Sequence, residues 1–205
     1  MRKHILLPIL IILITIACHP KLHKTGNDPE QFNHLIYNAQ SHPDLYGKST
    51  EDGLKQPPFN TWYVPNYNAY TPDSLILAKL RPELRNKTIQ IFMGTWCGDS
   101  RREVPRMLKV LNICGFPPLR VEIINVGHGE NDYKQSPTHE ERGKNIHHVP
   151  TFIIYEKGKE INRIIETPIE SLERDLLRIV NREAYTPKYA GAAMMLEKAE
   201  RYARQ

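Results

Sequence analysis

Cysteine is scarce in this sequence: Cys18, Cys97 and Cys114 are the only three in 205 residues. So few cysteines exclude a disulfide-rich framework, and each one needs its own explanation. The sequence also lacks a large excess of charge of either sign, because 28 lysines and arginines face 23 acidic residues, a formal net charge of +5. This excess is small and scattered, so it excludes a nucleic-acid-binding patch and indicates a mildly basic, solvated surface.

Hydrophobic runs long enough to cross a membrane are absent as well. The apolar run from Ile5 to Ala17 falls short of the roughly 20 residues that a spanning helix needs. Because Arg2 and Lys3 precede it, this run has the form of the apolar core of a secretory signal peptide. The run ends directly before Cys18, an arrangement that resembles the bacterial lipobox, in which the cysteine is lipidated after cleavage.

We therefore predict a lipoprotein-type signal peptide over residues 1–17 and a membrane anchor through a lipid on Cys18. Ordinary cleaved secretion and an uncleaved anchor are the alternatives. All three place the protein in the cell envelope, outside the cytoplasm, where disulfides persist. The periplasmic side of a membrane is the predicted location.

Four positions carry a helix-start pattern in which a capping residue is followed by proline. The pattern predicts helices from Asp28 to about Ala39, from Thr71 to about Leu84, after Ser136, and behind the capping box Thr167-Pro168-Ile169-Glu170. Behind that box, Leu172, Leu176 and Ile179 recur at helical spacing, which supports the last helix.

Strand patterns cover Thr88 to Met93 and Leu119 to Val126. A hairpin is predicted further on, with a turn between the strands Thr151–Tyr155 and Glu160–Glu166. The order of elements predicts one mixed α/β domain of roughly a hundred residues. Residues 18–72 form an N-terminal helical and loop extension in this prediction, and residues 183–205 form a C-terminal tail that ends in a possible helix.

The stretch from Ser41 to Tyr70 holds too many aromatic residues for a free linker. These are Phe59, Trp62, Tyr63, Tyr67 and Tyr70. We expect them to pack onto the domain, and a groove for a partner or ligand is the alternative.

The segment Gly94-Thr95-Trp96-Cys97-Gly98-Asp99-Ser100 follows a predicted strand and precedes an amphipathic helix. Cys97 is therefore expected at a helix N-terminus, where free backbone N–H groups and the helix dipole stabilise a thiolate. Arg101 and Arg102 add positive charge in the first turn, whereas Asp99 opposes them.

This segment resembles the active-site motif of the thioredoxin family, in which Trp-Cys-Gly follows a strand. Pro105 corresponds to the family's proline inside the next helix, and Val149-Pro150-Thr151 corresponds to its cis-proline segment. The full Gly-Thr-Trp-Cys-Gly-Asp-Ser form is similar to a bacterial group of exported thioredoxin-family proteins. The resemblance covers about residues 73–182, the predicted domain. It implies a thioredoxin-like fold, with a central mixed sheet flanked by helices, a cis bond before Pro150, and the Pro150 loop facing Cys97.

The resemblance also implies site residues. The catalytic set is Cys97, Ser100, Trp96 and Pro150, and the substrate-binding set is Val149, Thr151, Gly98 and Asp99. Neither a cofactor nor a metal belongs to the predicted site.

Two departures from the family pattern restrict the chemistry. Ser100 stands where the family has its second cysteine, and a serine hydroxyl can hydrogen-bond a thiolate but cannot attack a disulfide. Ile91 stands where the family buries an acidic residue that assists proton transfer. Cys114 cannot substitute, because the helix between it and Cys97 separates them by roughly 25 Å, whereas a disulfide needs Cα atoms within about 7 Å.

The histidines near the predicted loop give no metal pattern. His147 and His148 are adjacent, so on an extended chain they point to opposite faces, and His128 and His139 are expected on the surface. Because the Pro150 loop faces the nucleophile in the family, we expect His148 near Cys97.

The sequence therefore predicts an exported thiol–disulfide exchange protein that acts through Cys97 alone. Its substrate would be a disulfide-containing protein or a small-thiol adduct, and an external thiol would be its reductant. The alternative is a redox-inactive binding module that holds client peptides at the Pro150 loop. Peroxide sensing and metal handling are weaker alternatives.

Overall fold

The computed structural model describes residues 32–37 and 42–191. The predicted signal peptide, the lipidation of Cys18, the start of the first predicted helix and the end of the C-terminal tail lie outside the described residues.

Five strands build the main sheet, in the order β3-β5-β4-β6-β7. Their bounds are β3 Gly47–Ser49, β4 Lys87–Met93, β5 Val121–Asn125, β6 Thr151–Glu156 and β7 Lys159–Ile165. Strands β4 and β5 are parallel, and the other neighbouring pairs are antiparallel. A separate two-stranded sheet pairs β1 (Leu35–Tyr37) with β2 (Pro43–Leu45).

Helices connect and cover the strands. They are α1 Glu51–Leu54, α2 Asn60–Ala69, α3 Ser74–Glu83, α4 Gly98–Ile113 and α5 Leu172–Val180, with a short 3₁₀ turn at Pro118–Arg120. The α4 crossover from β4 to β5 forms the βαβ unit that parallel strands require. The chain is therefore a mixed α/β protein with a five-stranded mixed sheet flanked by helices.

The two faces of the sheet are covered differently. On one face, Ile89, Ile91 and Ile154 pack with buried residues from helices α1 to α5 in the larger core. On the other, Phe92 and Ile153 belong to a smaller cluster, which the loop before β6 closes with Ile146 and Val149. The alternation of buried side chains along β4 and β6 follows the period of two expected for a sheet that is covered on both faces.

The four strands predicted in the middle of the sequence are present as β4 to β7. Leu172, Leu176 and Ile179 form the buried face of α5, as their spacing predicted. The hairpin turn consists of Lys157 and Gly158, both with positive φ, which is the conformation that a tight two-residue hairpin needs.

The predicted helix from Asp28 to Ala39 is wrong where the structure describes it. Leu35–Tyr37 is the strand β1 and pairs with Pro43–Leu45. The capping pattern Asp28-Pro29 expresses a local helix preference. The pairing of β1 with a strand that begins six residues after it overrides this preference.

The predicted helix after Ser136 is also wrong, because the chain there consists of turns. The Ser136 hydroxyl lies 2.6 Å from an oxygen of both Glu140 and Glu141, shares its one proton between these carboxylates, and accepts the Glu140 N–H, so it stabilises a turn. Serine favours such local hydrogen bonds over helix continuation.

Two helix starts lie a few residues later than predicted. Helix α3 is capped by Asp73, whose carboxylate accepts from the Leu75 and Ile76 N–H groups. Helix α5 is capped by Ser171 rather than Thr167. The buried Asp175 carboxylate accepts the Ile169 and Glu170 N–H groups, which holds the predicted capping box outside the helix.

The aromatic stretch packs against the domain, as predicted. Phe59 and Tyr63 are buried in the larger core, and Trp62, Tyr67 and Tyr70 are partly buried against it. The Tyr63 hydroxyl donates to Glu51 at 2.7 Å and the Tyr70 hydroxyl donates to Glu173 at 2.6 Å. Residues 43–70 therefore supply β3 to the main sheet and α2 to its core.

Candidate functional site

Cys97 lies where the central strand β4 passes into α4. It is the N-cap of α4, with extended backbone angles, and its carbonyl accepts the Arg101 N–H at 3.0 Å. Its own N–H donates to the Gly94 carbonyl at 3.0 Å, which closes the turn after the strand. The thiol is therefore attached at the N-terminal, positive end of a 16-residue helix.

The loop before β6 lies against this thiol. The Cys97 Sγ is 3.1 Å from the Val149 carbonyl oxygen, and the Val149–Pro150 peptide bond is cis, as expected. Thr151 then begins β6, and its hydroxyl donates to the His148 carbonyl at 2.7 Å. The structure thus brings together Cys97, Val149 and Pro150, which are about 50 residues apart in the sequence.

Trp96 lies on an aromatic surface beside Cys97. Its indole N–H donates to the Val126 carbonyl at 3.0 Å, and its ring stacks on His128 at 4.3 Å between centroids with 10° between planes. Tyr133 lies 6.0 Å from the Trp96 ring. Sequence reasoning missed this contact; the available signal was that His128 follows β5, whose carboxyl end lies beside that of β4.

Ser100 is fully buried, and its hydroxyl contacts the turn that precedes Cys97. Its Oγ accepts the Gly94 N–H at 3.3 Å. Within residues 32–37 and 42–191, no hydrogen bond joins this hydroxyl to Cys97. Ser100 therefore supports the loop that carries the thiol.

Thr95 ties the motif to the N-terminal segment. Its hydroxyl donates to the Asp44 carboxylate at 2.7 Å and accepts the Leu45 N–H at 3.1 Å. Both Thr95 and Asp44 are buried. No local pattern predicts this contact, because β2 lies about 50 residues before the motif.

The charged residues after Cys97 are engaged with one another. Asp99 pairs with Arg102 at 2.6 Å, and Arg102 also reaches the buried Glu103 at 2.6 Å. The Arg101 Nε donates to the Thr95 carbonyl. At Gly98 a Cβ would meet no other atom within 4 Å, so the space in front of the helix is open to a second molecule.

Cys114 lies at the opposite end of α4, as predicted. It is the C-cap residue, is 5% exposed, and its sulfur is 3.9 Å from the Leu77 carbonyl oxygen. Burial raises the pKa of this thiol. Cys97 and Cys114 are both free.

In the part of the chain that the structure describes, His, Cys, Asp and Glu side chains do not gather in any group of three or more that suits a metal ion. Over the same residues, each helix is too short or too polar to cross a membrane. The chain matches no protein-family model. Neither a curated protein nor a solved structure matches it.

Proposed function

We propose that this chain is an exported thiol–disulfide exchange protein of thioredoxin-like fold that works through Cys97 alone. The observation that supports it best is the position of the Cys97 thiol, at a helix N-cap and against the Val149 carbonyl of a cis-proline loop. A partly exposed thiol at the positive end of a helix suits a nucleophile, because the thiolate is the attacking species.

The thioredoxin-like fold is supported by two units that share one sheet. One is β4-α4-β5, with Cys97 at its turn, and the other is the β6-β7 hairpin followed by α5. Pro105 lies inside α4, as the resemblance implies. Membrane attachment through Cys18 and a location in the cell envelope belong to the same proposal.

The reaction has two steps. First, the Cys97 thiolate attacks one sulfur of a substrate disulfide, so a mixed disulfide forms and the other substrate sulfur leaves as a thiolate that takes up a proton. Second, an external thiol attacks the substrate sulfur of the mixed disulfide, and Cys97 leaves as a thiolate. One S–S bond forms and one breaks in each step, so electrons balance without a cofactor.

The single thiol determines where the reaction stops. Ser100 is buried and bonded to Gly94, and Cys114 lies at the far end of α4. Neither residue can release the mixed disulfide. The adduct therefore persists until an external thiol arrives.

A client-binding module without turnover is the second candidate. It is favoured by the hydrogen bond from the Cys97 thiol to the Val149 carbonyl, because a thiolate would lose this donor–acceptor contact. The backbone of residues 149–151 would then hold an extended peptide without forming a covalent bond.

Trapping with a model disulfide separates the two candidates. Full-length protein carrying Cys18→Ser is mixed with a mixed disulfide of glutathione and a chromophore, and the products are weighed intact. We expect a stable 1:1 adduct that requires Cys97, is unaffected by Cys114→Ser, and is released by added glutathione. Binding of the glutathione disulfide without a covalent adduct supports the binding module. Turnover of the disulfide without added thiol contradicts the single-thiol mechanism.

A further inference from the structure

An imidazole–carboxylate pair lies beside the Cys97 loop. The His148 Nδ1 is 3.0 Å from the Glu166 Oε1. Because an ionised carboxylate can only accept, Nδ1 carries the proton of this hydrogen bond, and Nε2 is left with a lone pair in the neutral ring. Glu166 thus fixes both the orientation and the tautomer of His148.

Glu166 is held in an unusual conformation to make this contact. Its φ is 57°, in the left-handed region that residues other than glycine rarely adopt. Its N–H donates to the Pro150 carbonyl at 2.7 Å, and the next N–H, of Thr167, donates to the Ile165 carbonyl at 2.8 Å. A tight turn at the end of β7 therefore places this carboxylate next to the cis-proline loop, and such backbone strain is common at functional sites.

Tyr189 completes the cluster from the C-terminal segment. Its ring stacks on His148 at 4.2 Å with 7° between planes, and its hydroxyl donates to the Glu166 Oε2 at 2.8 Å. This hydrogen bond to Glu166 raises the pKa of the Tyr189 hydroxyl, and the nearby Asp99 charge contributes in the same direction. The Lys188 ammonium donates to the Thr167 hydroxyl and anchors the same segment.

Two connections place this cluster next to the thiol. His148 directly precedes Val149, whose carbonyl oxygen is 3.1 Å from the Cys97 sulfur. Glu166, which binds the imidazole, also donates its N–H to the carbonyl of Pro150 in the same loop. The imidazole and the residue that orients it are thus both bound to the loop that lies against Cys97.

We propose that His148 accepts the proton of the Cys97 thiol and returns it to the leaving sulfur, with Glu166 and Tyr189 as positioning residues. The inference rests on the proposed exchange function and deepens it. His148 Nε2 takes the proton as the Cys97 sulfur attacks the substrate disulfide, and the imidazolium then protonates the substrate thiolate that leaves. This cycle consumes no proton and restores the neutral ring. It also supplies the proton transfer for which Ile91 offers no acid.

Charged groups from several elements surround the pair. The Glu166 carboxylate contacts His148 directly, and the Lys134 ammonium donates to the carbonyl of His147, the preceding residue. Lys188 lies on the Thr167 side of the cluster. The Tyr189 hydroxyl contacts the other oxygen of the Glu166 carboxylate.

The pH dependence of the reaction with an aromatic disulfide reagent tests the proposal. The second-order rate constant is measured from about pH 5 to about pH 10. Two full-length proteins that both carry Cys18→Ser are compared, one with His148→Gln and one with the wild-type His148. We expect His148→Gln to lower the rate roughly tenfold near pH 7 and to converge with wild type above about pH 9, where a cysteine thiol ionises without a base. Glu166→Gln, which removes the charge and keeps the shape, should show a smaller loss of the same form.

His147→Gln is the matched control. This neighbour has the same side chain, and its side chain takes no part in the contacts of the cluster. It should leave the pH profile unchanged.

Each other outcome is decisive. A His148→Gln rate that equals wild type at every pH, or that is lowered by one factor at every pH, overturns the proton-transfer role while exchange through Cys97 stands. An equal loss in His147→Gln overturns it as well. Absence of any reaction that depends on Cys97 overturns the exchange function, and this inference with it.

Discussion

The two ends of α4 carry the same functional group in opposite settings. Cys97, at the N-terminal end, is partly exposed and lies against the Val149 carbonyl. Cys114, at the C-terminal end, is buried, and burial raises the pKa of its thiol. The thiol at the positive, N-terminal end of α4 is thus partly exposed to solvent, whereas the thiol near the negative, C-terminal end is buried in the core.

The same residue type thus meets opposite environments at the two ends of one helix. The Cys97 thiol lies where the first backbone N–H groups have no partner within the helix. At the other end the carbonyl oxygens point outward, and the buried Cys114 serves as a small apolar side chain. Chemistry is therefore expected at one end of α4 and packing at the other.

The largest expected effect is the difference in alkylation between the two thiols. In native protein treated with iodoacetamide, Cys97 should react about a thousandfold faster than Cys114, because Cys114 becomes accessible only when the core opens. Peptide mass spectrometry at timed intervals measures both rates. In urea the two rates should agree within a few-fold, and similar rates in the native protein would contradict the contrast.

Ser100→Cys should turn the N-terminal end into a dithiol site. Residue 100 lies one turn after Cys97, within reach of a disulfide, so the new thiol can attack the mixed disulfide. The lifetime of the adduct with a model disulfide should fall about a hundredfold, at an effective concentration that only an intramolecular thiol provides. Ser100→Ala is the control: it also loses the Gly94 hydrogen bond, and its adduct should stay as stable as wild type. Equal adduct lifetimes in the two variants would show that residue 100 cannot reach the adduct.

Thr95→Val tests how strongly the Cys97 end is anchored. The substitution leaves the buried Asp44 carboxylate and the Leu45 N–H without their shared partner, so the free energy of unfolding should fall by about 1–3 kcal/mol. Urea titration measures it. Thr88→Val, at an exposed position of β4, should change the stability by less than about 0.5 kcal/mol. If Thr95→Val lowered the free energy of unfolding no more than Thr88→Val, the contact of Thr95 with Asp44 and Leu45 would make no net contribution to stability.

The smallest effect concerns the other end. Cys114→Ala should lower the free energy of unfolding by about 1 kcal/mol through a small cavity, whereas Cys97→Ala should change it by less than about 0.5 kcal/mol. Because the pKa of Cys114 is raised in the folded state, its contribution is present below the unfolded value, near pH 9, and is lost as the pH rises. The alkaline loss of stability should therefore be smaller in Cys114→Ala, measured by urea titration from pH 7 to pH 10. An identical pH slope in both proteins would contradict the effect of burial on this thiol.

The elements that the sequence predicted correctly are those set by local periodicity. The strands β4 to β7 and the buried stripe of α5 follow from alternating or helical spacing of apolar residues. The errors occur where a hydrogen-bond partner outside the local pattern decides the conformation. Leu35–Tyr37 becomes a strand because Pro43–Leu45 pairs with it, and the capping box at Thr167 is displaced because Asp175 binds the backbone there.

The candidate site divides in the same way. The Cys97 turn, the cis bond before Pro150 and their proximity were expected from motifs in the sequence. The Asp44–Thr95 contact, the His128 stack and the Glu166–Tyr189 support of His148 join segments that share no local pattern. Contacts of this kind are set by the packing of the whole domain, so a single sequence does not reveal them.

The central place of β4 in the sheet has a mechanical consequence. Once a client is joined to Cys97 by a covalent bond, any pull on that client is a load on the C-terminal end of β4. This strand is hydrogen-bonded to β5 on one side and to β6 on the other. Removing it would shear two ladders at once instead of unzipping one edge, so the proposed anchorage point lies on an internal strand and not at an edge of the sheet.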